Sequence, residues 1–177
     1  MCGIVGYIGT KRAQDFVVDG LEKLEYRGYD SAGIAVNNGG PQFSITKKEG
    51  RLQRLADELT KNPLEGTIGI GHTRWATHGG PSDTNSHPHF NKDKSIVVVH
   101  NGIIENYLEL KKDLISKGYE FLSETDTEVI AHLLDYNFKG DILKAVQETL
   151  KSLRGAYALG VMSTKDPDRI IAVRKES

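Results

Sequence analysis

The sequence predicts a single mixed α+β domain, and three observations lead there. The chain has 177 residues, within the roughly 100–200 of one domain. Short β-prone runs and amphipathic stretches of helical period follow one another irregularly, with few clean strand–helix–strand units. That order favours separate helical and sheet layers over a doubly wound parallel sheet. No internal repeat, low-complexity tract or linker divides the chain.

Residues 4–8, between Gly3 and Gly9, read as a buried strand. Phe16, Val17, Leu21 and Leu24 recur at helical spacing and predict a helix over about residues 12–25. Residues 31–36 form a second strand. Asn37-Asn-Gly-Gly-Pro41 is a dense turn signal, with a strand through Phe43 and Ile45 beyond it. Leu52, Leu55, Ala56 and Leu59 mark a helix that Asn62-Pro63 ends. Ile68, Ile70 and His72 alternate with small residues, so 67–75 is a strand. Residues 76–94 are poor in periodic apolar positions and read as a long loop. Residues 95–99 are a strong strand running into His100-Asn-Gly102, a tight-turn signature. Helices follow over about 106–117, from Asp126, and over about 141–153. Residues 156–162 and 169–173 close the chain as a strand pair.

Composition excludes several function classes. Lys plus Arg total 23 and Asp plus Glu 24, a formal net charge of -1. So even a balance gives no electrostatic reason to expect nucleic acid or an anionic membrane as partner. Hydrophobic residues at 38% and charged residues at 27% read as globular rather than disordered. The longest strongly apolar run is residues 96–99, far short of the ~20 residues of a membrane span. A single cysteine rules out an intramolecular disulfide and any zinc site needing two thiolates. It fits a reducing compartment, and the N-terminus shows no signal-peptide pattern, so a cytoplasmic location is expected.

Candidate chemistry starts at that cysteine, Cys2, directly behind Met1. A free cysteine is ordinarily a small buried hydrophobe. Removal of Met1, which a small second residue permits, would leave thiol and α-amine on one carbon. An α-amine titrates near ~7.7–8.0 and can accept the thiol proton. A Cys–His pair is the competing scheme, with His72, His78, His87, His89 or His100 as base. Asn101-Gly102 reads either as a simple turn or as a side-chain amide and a main-chain N–H aimed at one oxyanion. Arg74, beside Trp75, is either a surface ion-pair partner or a carboxylate binder. Asp126 is either a helix N-cap or a holder of an ammonium group. His87-Pro-His89 lacks the further ligands a metal site needs and reads as polar loop, so no metal is expected. No P-loop is present, and Gly69-Ile-Gly71 lacks the third glycine of a dinucleotide fingerprint. No cofactor is expected.

Six motifs then stand in one order: Met-Cys-Gly-Ile-Val-Gly-Tyr at residues 1–7, Glu-Tyr-Arg-Gly-Tyr-Asp-Ser-Ala-Gly at 25–33, Gly-His-Thr-Arg-Trp-Ala-Thr-His-Gly at 71–79, Asn-Ser-His-Pro-His at 85–89, His-Asn-Gly at 100–102 and Ser-Glu-Thr-Asp-Thr-Glu at 123–128. Together they resemble the glutaminase domain of the glutamine–fructose-6-phosphate aminotransferases, class II glutamine amidotransferases of the N-terminal nucleophile hydrolase group. Residues 26–33 and 74–79 set the chain apart from the amidophosphoribosyltransferases, which tend to carry Arg-Gly-Gln-Asp-Ser-Ala-Gly and a Tyr-Ser-Thr loop.

The resemblance implies a four-layer αββα sandwich with two mostly antiparallel sheets. It implies L-glutamine hydrolysis through a γ-glutamyl thioester on Cys2, with the α-amine as base and Asn101 and Gly102 as the oxyanion hole. Arg74 would hold the substrate α-carboxylate and Asp126 its α-amine. Thr77, His78 and Gly79 would help position substrate, and Trp75 would close over it and gate ammonia. It also implies that residues 1–177 are a truncated glutaminase domain. The sugar isomerase domains of a homo-oligomeric enzyme, where ammonia converts fructose 6-phosphate to glucosamine 6-phosphate, are absent from them. An inert fragment that keeps Met1, or the glutaminase domain of another class II enzyme, is the alternative.

Overall fold

A computed structural model describes residues 2–176. In chain order the elements are β1 (Gly3–Ile8), α1 (Ala13–Leu24), a 3-10 turn (Glu25–Arg27), β2 (Ser31–Asn37), β3 (Ser44–Glu49), α2 (Leu52–Lys61), β4 (Ile68–Arg74), β5 (His89–Phe90), β6 (Ile96–Gly102), α3 (Tyr107–Ser116), α4 (Glu128–Asn137), α5 (Ile142–Ser152), β7 (Tyr157–Ser163) and β8 (Asp166–Lys175). The strands form two four-stranded sheets, ordered β1-β4-β2-β3 and β5-β6-β7-β8. Every pairing is antiparallel.

Period-two alternation along the strands sorts the side chains into layers. Ala32, Ile34 and Val36 of β2 face Val17 and Leu21 of α1 and Leu55 and Leu59 of α2. Ala35 points the other way, into an inter-sheet core with Ile70, Val97, Val99 and Met162. On β6 the same rule turns Ile96 and Val98 toward Val129, Ile130 and Val146 of the helices behind the second sheet. Two helices, two sheets and three helices therefore stack as αββα. Val97 and Val99 are fully buried, each worth about 1.5–3 kcal/mol of burial. They are the clamp that holds the two sheets face to face.

Three local expectations are corrected. Asn101-Gly102 is not a turn: β6 runs on through it, with Asn101 opposite Ala158 and Gly102 opposite Tyr157. Residues 76–94 are not loop throughout, since His89–Phe90 form β5. That segment is also well buried at Asn85, Ser86, His87, His89 and Asn91. Asp126 is not an N-cap either. The helix starts at Glu128, and Asp126 Oδ2 accepts the Ile104 N–H at 2.8 Å from another segment.

The buried loop leans on one glycine. A Cβ at Gly33 would sit 2.0 Å from the His87 carbonyl oxygen and 3.1 Å from that of Thr46. Gly33→Ala should therefore lower stability by about 1–3 kcal/mol, seen as an earlier urea midpoint at unchanged slope. Gly80→Ala, whose Cβ meets nothing within 4 Å, should stay within about 0.5 kcal/mol of the parent.

Candidate active site

The alternation that packs the inter-sheet core also builds the site. Ile4, Ile68, Ile70, Val97 and Val99 face between the sheets. Continuing the same parity, Cys2 precedes Ile4, His72 and Arg74 follow Ile70, and Asn101 follows Val99. Cys2, Arg74 and Asn101 reach the mouth of the inter-sheet layer, and His72 lies buried beneath it. A cavity of about 380 Å³ opens there, and Cys2, Arg74, Trp75, Thr77, His78, Asn101, Gly102 and Asp126 all line it. Gly79 is off the wall. Its φ of +74° turns the loop, and its carbonyl accepts from Arg74 at 2.9 Å.

Cys2 Sγ accepts the Trp75 N–H at 3.2 Å and lies 3.6 Å from the Trp75 carbonyl. The Cys2 carbonyl accepts from Asn101 Nδ2 at 3.0 Å. Burial pushes the thiol above its ordinary value, and the Trp75 N–H offsets part of that rise. Left alone, the thiol stays protonated near neutral pH, so nucleophilic use demands a base. Among the described residues no histidine ring hydrogen-bonds Sγ. His87 Nε2 and His100 Nδ1 both meet Thr127 Oγ1 instead, at 2.9 and 2.8 Å. Burial holds His87 and His100 below their ordinary values and His72 at about 3. These rings are neutral packing under the site, and the Cys–His scheme gains no support.

Arg74 is buried rather than a surface ion-pair partner. Its Nη2 donates to the carbonyls of His78 at 2.5 Å and Gly79 at 2.9 Å, and Nη1 reaches that of Gly80 at 3.4 Å. The guanidinium thus curls the loop around itself. Burial lowers its pKa, while Asp30, Cys2 and Asp126 oppose that. Asp126 Oδ1 lies 3.9 Å from His78 Nδ1. A fixed cation and a fixed anion therefore share one cavity wall. Trp75, 48% exposed, stands edge-on to Tyr29 at 5.3 Å. The Ala76 N–H donates to Asp30 Oδ2, and the Asp30 N–H donates to the Arg74 carbonyl at 3.2 Å. Asp30 thereby pins the turn that presents Trp75 N–H to sulfur.

Sequence reasoning did not single out Arg27, Ile103, Thr125 or Thr127, which also line the cavity. Thr125 and Thr127 sit in the Ser-Glu-Thr-Asp-Thr-Glu run, and alternating small hydroxyls around an acid were the available signal. His87-Pro-His89 is a buried wedge rather than a polar surface loop. His87 stacks on His72 at 4.1 Å, and His89 Nε2 meets Thr125 Oγ1 at 3.1 Å. No group of three metal-ligating side chains occurs among the described residues.

A family model described as a glutamine amidotransferase domain matches residues 72–176. The chain belongs to the glutamine amidotransferase domain family. Along its whole length it is 60% identical to the glutamine–fructose-6-phosphate aminotransferase (isomerizing) of Clostridium acetobutylicum, covering 29% of that protein. It is 55% identical to the enzyme of the same name from Thermus thermophilus, again over all of this chain and 29% of the other. Among solved structures, the allosteric regulatory enzyme of purine biosynthesis superposes with a TM-score of 0.84 at 28% identity, covering 99% of this chain and 37% of that one. Glutamine phosphoribosylpyrophosphate amidotransferase from B. subtilis gives 0.79 at 28%, covering 93% and 35%. This amidotransferase domain thus spans under a third of the curated relatives it matches. No helix of its described residues is long and apolar enough to cross a membrane.

The corner that carries Asp126 in this amidotransferase domain is held by Glu128. Burial alone would raise its carboxyl, but His132, the Leu122 N–H, and the Ser123 hydroxyl and N–H outweigh it and hold the pKa at about 2. The Ser123 N–H and hydroxyl both lie 2.6 Å from Oε2. A pKa below the unfolded value of ~4.3 means stability present above that value and lost as pH falls toward 2. Glu128→Gln should cost about 3 kcal/mol at pH 7. It should also flatten the stability curve between pH 5 and 2, read by urea unfolding across that range.

Proposed function

We propose that this domain hydrolyses L-glutamine to glutamate and ammonia through a thioester on Cys2. One observation carries the reading: a thiol, a side-chain amide, a buried guanidinium and a carboxylate face one cavity. Between them they answer glutamine's three functional groups, with the thiol and the amide both directed at its side-chain amide. Arg74 would pair with the α-carboxylate and Asp126 with the α-ammonium, leaving the amide carbon toward Cys2. Thr77 and His78 would complete that wall, with Gly79 holding Arg74 from behind and Trp75 covering the exposed side.

The raised thiol needs a proton acceptor beside it, and the cavity offers no histidine in that place. Cleavage of Met1, which lies outside the described residues, would supply the Cys2 α-amine. That amine takes the thiol proton as sulfur attacks the amide carbon. Asn101 Nδ2 and the Gly102 N–H would receive the oxyanion, each such donor being worth ~3–4 kcal/mol of barrier. The amine then returns its proton to the departing nitrogen, which leaves as ammonia. Water, deprotonated by the same amine, opens the thioester and releases glutamate.

The relatives point to what becomes of the ammonia. The 60% identical protein is named for fructose 6-phosphate, whereas the phosphoribosylpyrophosphate enzyme is 28% identical. We read this chain as the glutaminase part of a longer, homo-oligomeric cytoplasmic aminotransferase. In it, the sugar isomerase portion would convert fructose 6-phosphate to glucosamine 6-phosphate.

Glutaminase rates should separate three proteins: the processed parent, Cys2→Ala, and a parent carrying an uncleavable residue ahead of Cys2. Only the first should release glutamate above background. Equal rates in all three would overturn the reading.

A further inference from the structure

His72 is the buried group that the chemistry above leaves unused. It is fully buried and lies face to face with His87. Its Nδ1 has no hydrogen-bond partner. Its Nε2 reaches two oxygens, the main-chain carbonyl of His100 at 3.0 Å and Asn101 Oδ1 at 2.9 Å. A main-chain carbonyl can only accept, so Nε2 carries the hydrogen and Nδ1 is bare. That assignment then fixes Asn101. A side-chain amide can present either its oxygen or its NH2 group, and the surrounding hydrogen bonds decide which.

With Oδ1 on His72, Nδ2 faces Cys2 and donates to its carbonyl at 3.0 Å. Nδ2 has a second hydrogen for an incoming oxyanion. Reversed, the amide would set its NH2 against the His72 N–H and its oxygen against the Cys2 carbonyl. It would also aim an oxygen at the oxyanion. We infer that His72 is a positioning residue whose Nε2–H fixes the orientation of the Asn101 amide and thereby makes Nδ2, not Oδ1, the group that meets substrate. The inference rests on Asn101 being an oxyanion donor, as proposed above. It assigns a task to a strand of the opposite sheet: β4 sets the donor that β6 carries.

A double-mutant cycle in the intact, N-terminally processed protein tests it. His72→Leu should lower kcat for glutamine hydrolysis about 100-fold, the scale of losing one oxyanion donor, with KM within about twofold of the parent. His72→Gln, which can donate to the same oxygen, should recover most of that loss. In an Asn101→Ala background, His72→Leu should cost less than about twofold more. An undiminished loss in that background, or a raised KM at full kcat, would overturn the inference. Parental kcat in Asn101→Ala would instead remove the oxyanion reading, and this inference with it. Ring-nitrogen NMR of the unmodified protein is independent of whether any variant folds. It should show His72 protonated at Nε2, and protonation at Nδ1 would contradict the assignment.

Discussion

Everything at this site depends on one hydrogen bond between two sheets. Cys2 enters at the start of β1, in the first sheet, and Asn101 stands near the end of β6, in the second. Asn101 Nδ2 to the Cys2 carbonyl, at 3.0 Å, ties them, and His72 adds a second tie from β4 to β6. Neither bond would survive a slip in the facing of the sheets. The inter-sheet core of Ala35, Ile70, Val97, Val99 and Met162 prevents that slip. A close-packed core leaves the two halves no room to slide past one another. The Cys2 thiol and the Asn101 amide beside it can therefore come from different sheets.

The electrostatic design follows from the same burial. Histidines beneath the cavity are held neutral, so they add shape and hydrogen bonds without adding charge. The fixed charges that remain on the wall are few, and Arg74 and Asp126 are each secured by main-chain partners. In a partly desolvated cavity such charges act more strongly than they would in water. The thiol is disfavoured as an anion by that desolvation, which makes an adjacent base a requirement of the chemistry.

Much of this was legible in the sequence, for definable reasons. Strands and helices announced themselves through their apolar pattern, a continuous buried run in β2 and β4 and a single buried face in α2. Only the small pieces escaped: the 3-10 turn at Glu25–Arg27 and the two-residue β5. Asn101-Gly102 misled because Asn-Gly favours turns locally, while pairing to Ala158 and Tyr157 keeps it in the ladder. Asp126 misled in the same way: its capping preference is local, and a distant Ile104 N–H claimed the carboxylate. The residues brought to the cavity were found through their chemistry and motif order. The ones overlooked act through contacts made only in three dimensions. Asp30 holds a loop 46 positions away, and Thr127 takes two histidines from two other segments.

A γ-glutamyl thioester on Cys2 is covalent, and mass spectrometry reads it directly. The processed protein would be mixed with excess glutamine, quenched in acid within the first turnovers, and digested. A peptide beginning at Cys2, with Met1 gone, should carry one γ-glutamyl group on sulfur and lose it on longer incubation. Robust glutamine hydrolysis with Met1 still attached, or with the γ-glutamyl group on another residue, would rule out the Cys2 thioester route.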